Sequence, residues 1–63
     1  MKWSELKRKL KDEGFVLLRQ AKGSHEVWHH PDRSDSELVL ASHNSKEVGT
    51  GLAQKLLKKA GLK

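Results

Sequence analysis

The sequence predicts an α+β fold of order αβββα, with a three-stranded antiparallel sheet and both helices on one of its faces. Three observations carry this expectation. Apolar stripes at helical spacing occupy the two ends of the chain, each followed by a stop glycine. Three short apolar runs lie between them, bounded by turn formers. The connections between those runs are short enough to favour a meander over crossovers. Sixty-three residues make a single domain, 1–63, close to the lower limit for folding without a staple.

Taken in order, Ser4 is placed to cap a first helix, residues 4–13, with Glu5 in the turn where a helix dipole favours a carboxylate. Trp3, Leu6 and Leu10 form its stripe, Lys7, Arg8, Lys9 and Lys11 surround it, and Gly14 suits the left-handed position past its end. "FVLLRQ", 15–20, follows as the first strand, and "AKGS" is a turn in which Gly23 supplies conformational freedom. "HEVWHH", 25–30, is the second strand. "PDRSDS" is the next turn, and "ELVLAS", 37–42, the third strand. Thr50 is placed to cap the last helix, whose stripe is Leu52, Ala53, Leu56, Leu57 and Ala60 and which Gly61 stops. Trp28, Phe15, Leu17, Leu38 and Leu40 are expected in the core, and the second sheet face is expected to stay open.

Composition narrows the function. The chain has no cysteine, hence no disulfide framework and no thiolate metal site. "MKWSELKRKL" lacks an apolar signal core, and no stretch approaches a membrane span, so a cytoplasmic location without membrane insertion is expected. Thirteen Lys and Arg against eight Asp and Glu give a net charge of +5 and a pI of about 9.8. That bias suits nucleic acid, an anionic membrane or an acidic protein, although the Lys-rich helix faces are too short and too poor in aromatics for a membrane anchor.

Residues 25–29 spell H-E-x-x-H, the signature of zinc metalloproteases. The chemistry requires a helix, on which histidines four apart share one face and one metal. Gly23 and Pro31 leave about two helical turns at most, and Val27 and Trp28 favour a strand. On a strand the two histidines stand roughly 13 Å apart at ~3.3 Å per residue, too far to ligate one zinc. No metal or other cofactor is expected.

The order and spacing of several short motifs resemble a known family. The first helix ends in Gly14-Phe15. "KGSH" follows as Lys22, Gly23, Ser24 and His25, and Trp28, His30 and Pro31 close the second strand. His43 then precedes Lys46-Glu47, and the last helix reads "LLKKAGL". Over nearly its whole length the chain is similar to HicA-type toxins, the ribonuclease half of HicAB toxin–antitoxin pairs. The resemblance implies a double-stranded-RNA-binding-domain-like fold, mRNA as the substrate, cleavage by the motif histidine, here His25, and a cognate HicB-type antitoxin. It further implies a monomer when alone and a hetero-oligomer with the antitoxin.

The residues support that chemistry on their own terms. RNA carries its own nucleophile, the 2′-OH, so a ribonuclease needs proton transfer and charge stabilisation, and histidine titrates near working pH. His25 opens a strand beside a glycine turn where phosphate can approach. Lys22, Arg19 and, more distantly, Lys46 are cationic candidates, and Ser24 offers a hydroxyl donor. Taken singly each is an ordinary surface residue; together they form a candidate phosphate patch. Glu26 beside His25 is a carboxylate that repels phosphate, but on a strand it faces away from His25, which weakens that repulsion. Three classes therefore compete: a metal-independent endoribonuclease, a non-catalytic RNA-binding module, and a domain that binds an acidic protein.

Overall fold

A computed structural model of the chain describes residues 1–62. Its elements are α1 (Trp3–Glu13), β1 (Val16–Gln20), β2 (His25–His29), β3 (Leu38–Ala41) and α2 (Thr50–Lys59), giving the αβββα order. The sheet runs β1-β2-β3, each neighbouring pair antiparallel. One core joins Trp3, Leu6 and Leu10 of α1 to Trp28, Leu38 and Leu40 of the sheet and to Ala53 and Leu56 of α2. Both helices therefore cover the same sheet face.

Each helix ends where a glycine permits it. The amide of Gly14 donates to the Lys11 carbonyl and that of Phe15 to the Leu10 carbonyl, with Gly14 at φ 112°. Gly61, at φ 82°, and Leu62 repeat the pattern on Lys58 and Leu57. These paired bonds satisfy carbonyls that a helix end would otherwise leave bare, and they drive Phe15 against Leu10 inside the core. Gly14 carries a second constraint, because a Cβ there would lie 2.6 Å from Nε2 of His30. Gly14→Ala is thus expected to lose about 2 kcal/mol from left-handed strain and crowding together, lowering the thermal midpoint by roughly 10 °C. An unchanged melt would show that the turn can rebuild.

The helix starts differ from expectation. Ser4 lies inside α1, and Lys2 holds the cap position with no side-chain bond. The reason is tertiary: the amides of Trp3 and Ser4 donate to the carbonyls of Lys46 and Asn44, so a loop backbone does the work of a cap. Thr50 likewise is the first residue of α2, with Gly49 at the cap. The strands are one or two residues shorter than predicted, Phe15 and His30 falling outside them.

Leu17, a predicted core residue, is 46% exposed, because β1 is an edge strand that neither helix covers, and Leu52 of the predicted apolar stripe is equally exposed at the start of α2. Val48, unremarkable in the sequence, is buried in the core beside α1 and α2. Lys7, predicted among the surrounding cations, is buried as well.

Candidate active site

β2 sorts its side chains into two sets. Glu26 and Trp28 turn toward α1, whereas His25, Val27 and His29 belong to the open face, as alternation along a strand requires. His25 and His29 are the two ends of one five-residue strand, so the predicted strand conformation of the H-E-x-x-H string holds and its histidines cannot share an ion. Among the described residues no three His, Cys, Asp or Glu side chains gather as a metal site.

His25 is exposed at the head of β2. Its Nδ1 lies 3.3 Å from the Lys22 carbonyl oxygen. A carbonyl can only accept, so this contact requires a proton on Nδ1, and in the neutral ring Nε2 then holds the lone pair. The contact depends on the bend at residues 22–24, where Gly23 adopts φ 72°. A second tie holds the same corner: the amide of Ser42, just past β3, donates to the Ser24 carbonyl at 2.7 Å.

The other predicted site residues lie around this corner at different ranges. Lys22 and Ser24 are exposed in the turn itself. Arg19 is exposed on β1 opposite Val27, hence on the open face with His25. The pairing slips between Leu17 and Arg19, so Leu18 is the extra residue of a bulge, a device that re-aims neighbouring side chains. Lys46 is exposed in the β3–α2 connection, its carbonyl bound by α1 rather than by the His25 turn. His43 is exposed in the same connection.

His29 and His30 stand apart from His25. His29 is half-buried at the far end of β2, beside Arg33 and Glu37 of the next connection. His30 is a structural buckle. Its Nε2 donates to the Glu13 carbonyl, its Nδ1 accepts the Asp32 amide, and its ring meets Phe15 edge-on at 5.3 Å.

Glu26, which in a metalloprotease string would be the general base, has a different task. Its Oε1 accepts from Nζ of Lys7 at 3.0 Å and from the Trp28 indole at 2.9 Å, and Lys7 also donates to Oδ1 of Asn44 at 2.6 Å. Burial pushes the Glu26 carboxyl up. The hydrogen bonds from Trp28 and Lys7, the Lys7 charge and the Ser42 hydroxyl outweigh it, so the net pKa falls below its ordinary value. The network joins α1, β2 and the connection after β3 directly behind the His25 corner. Sequence reasoning missed it because Lys7 and Glu26 lie on separate elements and each reads alone as a solvated charge.

The family described as HicA toxin of bacterial toxin-antitoxin matches residues 3–62. The chain is 38% identical to a protein of Pseudomonas fluorescens (strain Pf0-1) named probable mRNA interferase HicA, over 63 residues that cover all of this chain and 98% of that one. No solved structure matches.

Proposed function

The chain belongs to the HicA toxin family of bacterial toxin–antitoxin systems, and from that premise we propose that it is a metal-independent endoribonuclease that cleaves mRNA through His25 and so inhibits translation. The observation that carries this reading is the placement of the His25 ring: exposed at the head of β2, with Nδ1 3.3 Å from the Lys22 carbonyl oxygen and Nε2 free to meet a substrate. In the step proposed, Nε2 removes the proton of a 2′-OH as its oxygen attacks the adjacent phosphorus. The P–O5′ bond breaks, the 5′ oxygen leaves with a proton from the medium, and a 2′,3′-cyclic phosphate remains. Lys22, with Arg19 or Lys46, stabilises the negative charge that grows on the phosphate, and Ser24 donates a hydrogen bond to it. With one histidine and no assigned partner acid, turnover is expected to be slow.

A cytoplasmic monomer that meets a cognate HicB-type antitoxin fits this activity. An acidic or RNA-mimicking segment of that partner would complement the cationic corner and cover His25. The test of the enzymatic reading is RNA cleavage by chelator-treated protein. Activity is expected to survive EDTA, and an activity abolished by EDTA and restored by zinc would overturn the metal-free reading.

A further inference from the structure

The fold holds a second cationic feature that the chemistry at His25 leaves unused. On α1, Ser4, Lys7, Arg8 and Lys11 recur at i, i+3, i+4 and i+7, a stripe bordering the buried one. Because β1 extends past the cover of the helices, this stripe faces β1 across an open cleft of about 660 Å³. Arg8 and Lys11 are exposed on the α1 side, Leu17 lies bare on the β1 side, and Trp28, Glu26 and Asn44 also line the cleft. Lys7 is neutralised by Glu26, so Arg8 and Lys11 supply the cleft's uncompensated charge. Nζ of Lys11 stands 5.7 Å from the Trp28 ring.

We infer that this cleft takes one unpaired nucleotide of the RNA, its phosphate on Arg8 and Lys11 and its base against Leu17. The inference rests on RNA being the substrate and adds a subsite away from the cleaved bond. A volume within the ~300–1,000 Å³ typical of small-ligand sites accommodates a single nucleotide. The apolar wall beside two cations suits a flat base joined to a phosphate, and a guanidinium can also stack on a base. Topology favours RNA over an acidic protein segment. β1 is a free edge, and the bulge at Leu18 sets Arg19 on the side of His25 and Leu17 in the cleft. An RNA strand bound at His25 reaches the cleft by passing around that edge.

The test uses full-length protein and a single-stranded 2′-O-methyl oligoribonucleotide, which binds but lacks the nucleophile. The Arg8→Gln/Lys11→Gln protein is expected to bind about tenfold more weakly. Its slope of log affinity against log salt should be shallower by about 0.7, the share of one neutralised phosphate on a single strand. With cleavable RNA its KM should rise while kcat holds. Unchanged affinity and salt slope in a protein that melts like the wild type would overturn the subsite while leaving the ribonuclease intact. So would a defect confined to binding of poly-glutamate, which would make the cleft a protein-docking site. If the melt falls because Lys11 no longer covers Trp28, Arg8→Gln alone, at an exposed helix position, must show half the salt effect. Wild-type protein that binds RNA through this cleft yet never cleaves it would sustain the subsite and defeat the enzymatic reading; failure to bind RNA at all would defeat both.

Discussion

His25→Ala is expected to lose RNA cleavage by ~10²–10⁴-fold, the usual contribution of a positioned acid–base group. The side chain is exposed at the first residue of β2, and its one hydrogen bond is to a nearby turn carbonyl. Its removal therefore costs little packing, and the melt should stay within about 0.5 kcal/mol of the wild type. RNA affinity should hold too, because the groups assigned to phosphate are Lys22, Arg19 and Lys46 rather than the imidazole. Measuring cleavage, affinity and melt on one preparation separates a lost proton-transfer group from a lost fold. Full activity in a folded His25→Ala protein would remove the histidine from the mechanism.

The largest effect on stability is expected at Lys7. Lys7→Met leaves Glu26, whose side chain is only 14% exposed, without its countercharge. Breaking a buried pair from one side costs about 3–5 kcal/mol, and the residual exposure of Glu26 places the loss near 3. A domain of this size has on the order of 3–9 kcal/mol in total, so much of the population should unfold at modest temperature. Lys7→Met combined with Glu26→Gln should recover most of the loss, because the amide oxygen still accepts the Trp28 indole and no charge remains to be compensated. If the double replacement melts as low as the single one, packing of the Lys7 stem rather than charge pairing is responsible. The pair also sets an acid response. The folded-state pKa of Glu26 is depressed, so its contribution is complete above the ordinary carboxylate pKa and is lost as pH falls through the lower folded value. Glu26→Gln should flatten the pH dependence of stability in that acid window and leave neutral pH largely unaffected by titration.

The parts of the fold legible in the sequence are those governed by local rules. Gly14 and Gly61 announce the helix ends because few other residues tolerate the backbone found there, and the Val27-Trp28 pair was enough to place the H-E-x-x-H string on a strand. What escaped depends on distant partners. Ser4 is not a cap because the carbonyls of Asn44 and Lys46, some forty residues on, already bind the first amides of α1. Lys7 is buried because Glu26 and Asn44 meet it, and Leu17 is bare because no helix reaches β1. The candidate site divides the same way. His25, Lys22 and Ser24 share one turn and were visible together, whereas the carbonyl that selects the His25 tautomer and the cleft beneath α1 emerge only once the chain is folded.

The chemistry of the cut ends tests the account most directly. A synthetic RNA digested by chelator-treated protein should yield fragments ending in a 2′,3′-cyclic phosphate and beginning with a 5′-OH, identified by mass, and a strand with 2′-deoxy substitution at the cut position should resist. Fragments carrying a 3′-OH, or cleavage of the 2′-deoxy strand at an undiminished rate, would contradict attack by the 2′-OH and with it the role assigned to His25.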